Sequence, residues 1–242
     1  MKIALIGHGG MGKAVEIIAL KRGHDISVII DPKSKHPKIE SGIISEVDVA
    51  IDFSLPSCIS QNTKAVNEAR VPLIIGCTGW YNQMGKIKVM TKNIPVLWSA
   101  NFSIGVNLYF NIINAASKAI NRFEEYDVWG HEIHHSNKGD SPSGSAKTLS
   151  EILLNNLDRK TAICEEKLDR KRKDNEIHFS SVRGGPVNFS HTIGFDSEAD
   201  KIVISHEARS RKGYVLGAVK AAEWLVKQNI GWYDMNDFLD LK

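Results

Sequence analysis

The sequence predicts an α/β fold in which a doubly wound parallel sheet precedes an α+β domain with an open mixed sheet. Before Asn101, short and continuously apolar runs alternate with segments of helical periodicity, which is the pattern of parallel strands covered on both faces. After Asn101, β-like runs rich in polar residues are grouped together and separated from long helical patterns, which favours an α+β domain. A glycine-rich turn behind the first apolar run provides the third indication.

The part of the chain before Asn101 is predicted to supply the parallel sheet and the helices that cover it. The apolar runs that we interpret as strands are Lys2–Ile6, Ile26–Ile30, Asp48–Phe53, Val71–Ile75 and Pro95–Trp98. The helical patterns between them are Met11–Arg22, Pro56–Arg70 and Trp80–Lys92. The stretch Pro32–Ser45 is polar and broken, and no helix is predicted there.

The part after Asn101 is predicted to form the second domain. A long helix is expected over Ile104–Arg122 and another from about Ser143, while Asp158–Asn175 is interpreted as a solvated helix or loop. The predicted strands are Glu125–His134, His178–Gly184, Val187–Asp196 and Lys201–Ala208. A C-terminal helix should pack back on the first domain through a stripe formed by Val215, Leu216, Val219, Ala222, Leu225 and Val226. The expected domains are therefore 1–101 with 211–242, and 102–210.

The composition is that of an ordinary soluble globular protein. Of 242 residues, 42% are hydrophobic and 24% charged, and the net charge is only +3, so no nucleic acid is expected as a partner. Cys58, Cys77 and Cys164 lack the spacing of a disulfide framework or a structural zinc site, which favours a reducing compartment. No apolar run approaches membrane-spanning length, so we expect a cytoplasmic protein without membrane contact.

The segment Gly7-His8-Gly9-Gly10-Met11-Gly12 matches the G-x-G-x-x-G pattern of a Rossmann-like dinucleotide site. The first glycine allows a tight turn, the second lets a pyrophosphate approach the backbone, and the third lets helix and strand pack closely. Asp31 ends the second predicted strand, where an acid is expected to bind the adenine ribose. A carboxylate there favours NADH, but Lys33 and Lys35 could offset its repulsion of a 2′-phosphate, so NADH and NADPH both remain open.

Small residues follow the fourth and fifth predicted strands, where ligands bind in parallel sheets. They are Gly76, Cys77 and Thr78 in one segment and Ser99, Ala100, Asn101 and Phe102 in the other. Free backbone groups there could hold a nicotinamide carboxamide. As isolated tetrapeptides, both segments are more often plain turns.

Residues His131–His135 match the zinc-protease pattern H-E-x-x-H, which predicts a zinc-dependent hydrolase using His131, Glu132 and His135. That pattern requires a helix, whereas the flanking residues are poor helix formers. On an extended strand, four residues span roughly 13 Å, which is too far for one zinc ion to bridge. We therefore expect no metal site in this segment.

A different set of residues in the same segment supports a second interpretation. His134, His135 and Lys138 would then gather protonatable or cationic groups at a strand end, followed by a helix N-terminus near Gly144 and Ser145. Such groups suit a small dicarboxylate, and a lysine or histidine can also supply a proton. The alternative is an ordinary hydrogen-bonded surface loop with Ser143 as the N-cap.

Taken together, these segments closely resemble the dihydrodipicolinate reductase family, and the resemblance covers nearly the whole chain. The family pattern appears at Gly7–Gly12, Asp52–Ser54, Gly76–Gly79, Asn101–Val106, His134–Ala146, Ser181–Gly185 and His206–Arg211. The long segment His134–Ala146 is the most specific of these. Cys77 and Ser145 each replace a threonine of the pattern, and the glycine turn is one residue shorter than in longer members.

The resemblance implies an NADH- or NADPH-dependent reduction of 4-hydroxy-tetrahydrodipicolinate in the diaminopimelate pathway of lysine biosynthesis. It implies His134 as general acid/base, Lys138 as proton donor, and His135 as a contact of one substrate carboxylate, the other being bound by Gly144 and Ser145. The two domains would bind the dinucleotide and the substrate respectively, and the second domain's sheet would build a homotetramer. A non-catalytic dinucleotide sensor that has lost the chemistry is a further alternative.

Overall fold

The computed structural model describes residues 1–241, which form two compact units. The first unit comprises Met1–Ile104 and the C-terminal segment from Lys212, and the second unit comprises Gly105–Arg211. Strands and helices are numbered below in chain order. Each unit has its own sheet and its own hydrophobic core.

The first unit is a six-stranded parallel sheet with helices on both faces, which confirms the predicted Rossmann-like class. Its strands are β1 (Lys2–Ile6), β2 (Asp25–Ile30), β3 (Val49–Asp52), β4 (Leu73–Ile75), β5 (Pro95–Trp98) and β11 (Gly231–Tyr233), in the order β11-β5-β4-β3-β1-β2. Its helices are α1 (Gly10–Lys21), α2 (Ile59–Ala69), α3 (Met84–Met90), α6 (Lys212–Leu225) and α7 (Met235–Leu239).

Apolar side chains on both faces explain why these strands read as continuous apolar runs. Ile3 and Leu5 of β1 pack with α1 and α6, whereas Ala4 and Ile6 belong to the cluster on the opposite face with α2 and Trp80. The side chains alternate between faces with the strand period of two, and both faces are buried. Five residues of the stripe predicted for α6 lie in or against the first unit's core, namely Val215, Val219, Ala222, Leu225 and Val226, whereas Leu216 is half-buried outside it.

Two C-terminal elements of the first unit were not predicted. The three residues of β11 show no periodic signal, and they form a strand because they pair in parallel with Pro95–Leu97 of β5. The short helix α7 begins with a capping box, in which Asp234 and Asp237 each accept a hydrogen bond from the backbone N–H of the other. Both elements depend on contacts that are distant in sequence or shorter than the windows that reveal periodicity.

The second unit is a mixed five-stranded sheet covered on one face by two helices, as predicted. The strands are β6 (Asp127–His134), β7 (Ala162–Cys164), β8 (Glu176–Arg183), β9 (Phe189–Asp196) and β10 (Lys201–Ala208), in the order β10-β9-β6-β8-β7. β6, β8 and β7 pair in parallel, whereas β9 is antiparallel to β6 and β10. The helices α4 (Ile104–Ile120) and α5 (Gly144–Asn156) pack on the sheet through a core centred on Phe179 and Phe195.

The charged stretch Asp158–Asn175, predicted to be a solvated helix or loop, contains the edge strand β7 and a buried lysine. Lys160 donates from Nζ to Asp127 Oδ1 at 2.6 Å and to the Asp174 carbonyl at 2.6 Å. The side chain of Lys160 is only 4% exposed, so this lysine anchors the stretch to the end of the sheet. Most of the stretch is an exposed loop, as predicted, and the prediction fails at β7 and at Lys160, because charge alone does not show which cation has a buried partner.

The central strand β6 separates its side chains onto two faces. Val128, Gly130, Glu132 and His134 are buried on the helix-covered face, and Trp129, His131 and Ile133 lie half-buried on the other. This alternation is the strand period of two. Among residues 1–241, no helix combines the length and the apolar character that crossing a membrane requires.

Candidate active site

A fully buried carboxylate, Glu132, lies at the centre of the polar cluster in the second unit. Its Oε1 atom accepts hydrogen bonds from the Ser143 backbone N–H at 3.0 Å, from Ser181 Oγ at 2.8 Å and from Arg183 Nη2 at 2.8 Å. Its Oε2 atom accepts from Ser143 Oγ at 2.5 Å and lies 3.2 Å from His191 Nε2. These donors come from β8, β9 and the segment before α5, so one carboxylate connects three parts of the unit.

These contacts keep Glu132 ionised. Burial on its own would raise the pKa of this carboxyl group, but the hydrogen bonds from His191, Ser143, Arg183 and Ser181 outweigh it, so the pKa is held well below its ordinary value. The buried charge is compensated by Arg183, whose side chain is 17% exposed. Glu132 is therefore a fixed negative charge.

Ser143 connects Glu132 to the N-terminus of α5. Its side-chain oxygen accepts the Ala146 backbone N–H at 3.1 Å, which is the N-cap contact, while its hydroxyl proton goes to Glu132. A Cβ atom built on Gly144 would meet no heavy atom within 4 Å, so space is open at the start of the helix. A helix N-terminus with open space and free backbone donors is suited to binding a carboxylate.

His134 occupies the end of β6, two residues after Glu132 and on the same face. Its Nε2 atom lies 3.2 Å from Glu132 Oε2, but the angles are not those of a hydrogen bond, so this buried nitrogen has no hydrogen-bond partner in the part of the chain that the structure describes. Burial, together with the positive charges of Lys138 and Arg183 and the imidazole of His191, lowers the pKa of His134 to about 4, against the opposing effect of Glu132. At neutral pH the imidazole is uncharged.

The loop after β6 carries Lys138 and is tied to the sheet by Arg183. The guanidinium donates to Glu132 and, at 2.6 Å, to the backbone carbonyl of Asp140, while Lys138 Nζ pairs with Asp140 Oδ1 at 2.5 Å. The pKa of Asp140 is lowered chiefly by this lysine. Lys138 on the loop and Arg183 at the end of β8 therefore lie close enough to His134 for their charges to affect its protonation.

The H-E-x-x-H segment forms a strand and not the helix that a shared zinc site would require. His131 lies on the face of β6 opposite to Glu132 and hydrogen-bonds Ser180 at 2.8 Å. His135 comes after the end of the strand. The residues that would share a zinc ion in a helix are thus separated by the strand geometry. Instead, the structure brings Glu132, His134 and His191 together.

The glycine-rich turn of the first unit has the geometry that a dinucleotide site needs. Gly7 has a φ of +85°, and a Cβ atom on Gly12 would lie 2.1 Å from the Gly7 carbonyl oxygen, so both positions require glycine. Around Gly9 and Gly10 a Cβ atom would meet no heavy atom within 4 Å, and no side chain caps α1 at Gly9. The backbone donors of the first turn are therefore accessible to a pyrophosphate.

Asp31 lies beside this turn, as its position at the end of β2 predicts. Its Oδ2 atom accepts the His8 backbone N–H at 2.9 Å, and Oδ1 accepts the Lys33 backbone N–H at 3.0 Å. These two backbone donors, led by His8, lower the pKa of Asp31. His8 in turn pairs with Glu16 at 2.7 Å, so the second turn residue is held by two acidic groups.

The other predicted cofactor residues lie after β4 and β5, at the carboxyl edge of the parallel sheet. The ring of Phe53 packs against Gly76, and a Cβ atom on Gly76 would lie 2.2 Å from that ring. Cys77 is buried, and burial raises the pKa of its thiol, so it is no nucleophile at neutral pH. Phe102 is buried in the core of the first unit, whereas Thr78 and Ala100 are exposed and Ser99 and Asn101 half-buried at the same edge.

Arg183 and His191 are the site residues that the sequence alone did not single out. Arg183 lies in a segment noted only for its family resemblance, and His191 lies in the middle of a predicted strand. Glu132 pairs directly with His191 across β6 and β9, and with Ser181 across β6 and β8. Only the strand register brings these residues together, and a single sequence carries no signal for it.

A Rossmann-like sheet with an open glycine turn, joined in one chain to a unit with a buried acid, imidazoles and cations, defines an oxidoreductase that uses a dinucleotide coenzyme. The model of the family described as dihydrodipicolinate reductase, N-terminus, matches residues 1–102, and that of its C-terminus matches residues 105–239. The chain therefore belongs to the dihydrodipicolinate reductase family, which confirms the resemblance stated above.

Relatives and solved structures agree over the full length of the chain. The 4-hydroxy-tetrahydrodipicolinate reductase of Christiangramia forsetii is 36% identical over 241 residues, which cover 99% of this chain and 98% of the relative. That of Staphylococcus aureus is 34% identical over 244 residues, covering 98% of this chain and 100% of the relative. A structure of dipicolinate-bound dihydrodipicolinate reductase from Paenisporosarcina sp. TG-14 has a TM-score of 0.76 at 20% identity, with 97% of each chain covered, and this likeness concerns the fold.

Proposed function

We propose that this chain catalyses the NAD(P)H-dependent reduction of 4-hydroxy-tetrahydrodipicolinate to tetrahydrodipicolinate, a step of the diaminopimelate route to lysine. The enzyme class and the pathway predicted from the sequence are confirmed by the full-length relatives of that name. The observation that carries the proposal is at the end of β6, where uncharged His134 lies beside a hydrogen-bonded cluster. That cluster joins the cations Lys138 and Arg183, through Asp140 and Glu132, to the N-terminus of α5.

The substrate class that we assign to this cluster is a small dicarboxylate. Gly144 and Ser145 at the open N-terminus of α5 would bind one carboxylate through backbone and side-chain donors, and His135 would contact the other. Lys138 and Arg183 add positive charge beside them. The solved relative from Paenisporosarcina is described with dipicolinate bound, which is a molecule of this class.

Proton transfer is assigned to His134 and Lys138. An imidazole with a pKa of about 4 carries no proton to donate as an imidazolium at neutral pH, whereas it can accept one. Lys138 is therefore the proton donor to the substrate, and His134 is the general base or relay. A bound dianion would also raise the pKa of His134, because it adds negative charge to a cluster whose cations now lower it.

The dinucleotide would be held by the first unit. The open backbone around Gly9 and Gly10 and the uncapped start of α1 fit its pyrophosphate, and Asp31 beside the turn fits the ribose. Residues 7–12, 76–78 and 99–102 form the assigned site, at the turn after β1 and at the ends of β4 and β5. When bound, the reduced nicotinamide supplies the hydride of the reaction. We assign NADH or NADPH to this site.

The partner of the chain that we propose is the chain itself, in a homotetramer assembled through the second unit's sheet. The helices cover only one face of that sheet, and its other face presents Trp129, Ile133, Val182 and Val203, of which Val182 and Val203 are 45% and 46% exposed. An open apolar sheet face favours pairing with another copy. We place the protein in the cytoplasm, which agrees with its three free cysteines.

One assay tests the proposed activity. Purified chain is mixed with NADH or NADPH and with substrate generated in place by the preceding synthase, and loss of reduced nicotinamide is followed. We expect oxidation that depends on the synthase, and the two rates give the coenzyme preference. A chain that binds the coenzyme but oxidises neither form would instead be the non-catalytic sensor.

A further inference from the structure

Glu132, His134 and His191 form a cluster of one carboxylate and two imidazoles on the buried face of the second unit's sheet. The Nε2 atoms of His134 and His191 each lie 3.2 Å from Glu132 Oε2, and the three atoms lie within 4.8 Å of one another. The backbone produces this arrangement, because Glu132 and His191 are direct cross-strand partners and His134 is the next residue on the same face of β6. The exposed fractions of the three residues are 0%, 6% and 2%.

The two separations between an imidazole nitrogen and Glu132 Oε2, 3.2 Å each, are those of neighbouring ligands around one metal ion. Imidazole nitrogens and carboxylate oxygens bind zinc at roughly 2.0–2.2 Å, so two adjacent ligands lie about 3 to 3.5 Å apart. Two histidines and one carboxylate are also a common ligand set for divalent transition metals, and this set leaves coordination positions open for water. The cluster thus has both the donor chemistry and the spacing that such an ion needs.

A second observation points to a missing ligand. His134 Nε2 is buried and lies 3.2 Å from Glu132 Oε2, yet no hydrogen bond satisfies it within residues 1–241. Buried polar atoms of native proteins nearly always have a partner, so an unpartnered one needs an explanation. A cation bound to Glu132 Oε2 would provide that partner.

Arg183 sets a limit on the affinity. Its guanidinium binds Glu132 through Oε1, whereas both imidazole nitrogens lie beside Oε2, which accepts one hydrogen bond from the Ser143 hydroxyl. Its positive charge and that of Lys138 nevertheless oppose a second cation. The site therefore suits an ion that binds reversibly rather than one that is built permanently into the fold.

We propose that Glu132, His134 and His191 bind one divalent transition-metal ion of the zinc, cobalt or nickel class, and that the bound ion inhibits the enzyme. The ion would coordinate the Nε2 atom of His134, which could then no longer accept a proton. It would also coordinate Glu132, the carboxylate that hydrogen-bonds the N-cap of α5. The inhibition rests on the proposed function, because it requires His134 to act in catalysis. The binding does not, and it differs from the sequence-based expectation that no metal is bound.

Cobalt(II) tests the binding by its absorption spectrum, without any activity measurement. Full-length protein freed of metal is titrated with Co²⁺, and we expect ligand-field bands that saturate at one ion per chain. His134→Gln and His191→Gln should each lower the affinity at least about tenfold, since even partners outside the coordination shell contribute that much. His131→Gln is the matched control, because His131 lies on the opposite face of the same strand and should leave the affinity unchanged.

Two outcomes of that titration would overturn the site. One is an affinity that neither His134→Gln nor His191→Gln changes. The other is the intense near-ultraviolet absorption of thiolate ligands, which would assign the ion to the free cysteines. If circular dichroism shows that His191→Gln does not fold, His134→Gln decides, because its Nε2 atom has no protein partner to lose.

Inhibition is measured separately with Zn²⁺ in the coupled assay. Wild type and His131→Gln should lose activity over the concentration range in which the metal binds, and a chelator should restore it. Saturated binding with full activity would overturn the inhibitory role alone. A metal-free protein that oxidises no coenzyme would refute the proposed function, while the Co²⁺ spectrum would still decide whether the metal site exists.

Discussion

Glu132 and Ser143 are joined by two hydrogen bonds, one from the serine backbone N–H to Oε1 at 3.0 Å and one from its hydroxyl to Oε2 at 2.5 Å. Because Ser143 is also the N-cap of α5, the buried carboxylate fixes the start of that helix against the end of β6. The two substrate-binding segments that we assign are therefore held together by one side chain. This connection has consequences for stability that can be measured.

Glu132→Gln should destabilise the protein by about 3–5 kcal/mol, the range observed when one partner of a buried ion pair is removed. The amide keeps one acceptor oxygen but places an NH₂ group among the donors of Ser143, Ser181 and Arg183. Urea denaturation measures the loss. Glu46→Gln is the control, since Glu46 is exposed before β3 in the first unit and should change the free energy of unfolding by no more than about 0.5 kcal/mol. Equal stability of both variants would show that Glu132 is not an anchor.

The stability of the protein should fall as the pH decreases from about 6.5 towards 4, partly because of His134. Its pKa is about 4 when folded, below the ordinary value of 6.5, so the unfolded chain binds a proton in this range before the folded chain does. The contribution is complete above pH 6.5, shrinks through the interval, and is gone below about pH 4. With about 1.4 kcal/mol for each unit of pKa, it is of the order of 3 kcal/mol.

Unfolding free energies at a series of pH values check this contribution by comparing wild type with His134→Gln. The variant should show a shallower decrease, and what remains includes the contribution of His206, whose pKa burial also lowers. Parallel curves for the two proteins would mean that His134 does not titrate as described.

Lys138→Ala should lower the turnover number by about 10² to 10⁴, the usual range for loss of a positioned proton donor. Coenzyme affinity should stay within about twofold, because Lys138 belongs to the second unit and contacts Asp140 rather than the glycine turn. Steady-state rates and fluorescence titration with reduced coenzyme measure the two effects. Lys167→Ala, at an exposed lysine elsewhere in the second unit, is the matched control. Wild-type turnover in Lys138→Ala would refute the role assigned to this lysine.

Gly9→Ala and Gly12→Ala should fail in different ways. A Cβ atom on Gly9 meets no heavy atom within 4 Å and its φ of −72° suits alanine, so the variant should fold normally and bind coenzyme at least about tenfold more weakly. A Cβ atom on Gly12 would lie 2.1 Å from the Gly7 carbonyl oxygen, so that variant should be unstable. Thermal denaturation and coenzyme titration separate the two effects. A Gly9→Ala protein with wild-type affinity would remove the turn from the coenzyme site.

Much of this molecule follows from local sequence. The apolar runs of β1 to β5 predict the parallel sheet because both faces are buried, and the glycine spacing predicts a turn that only small residues can form. Ser143 is recognisable as an N-cap because its hydroxyl oxygen accepts a hydrogen bond from the backbone N–H of Ala146, only three residues away. Each of these features depends on neighbours along the chain, so periodicity and residue type are enough to reveal it.

The tertiary structure decided which side chains meet. Glu132 and His134 lie on one face of β6, and His131 lies on the other. Glu132 and His131, which the H-E-x-x-H pattern would place in one metal site, are therefore on opposite faces of the sheet. Arg183 and His191 reach Glu132 from strands 51 and 59 positions further along the chain, through a register that the packed sheet imposes. Sequence alone determined what kinds of groups were present and on which elements they lie. Strand pairing determined their protonation and partners, because both depend on burial and on charges brought together from distant parts of the chain.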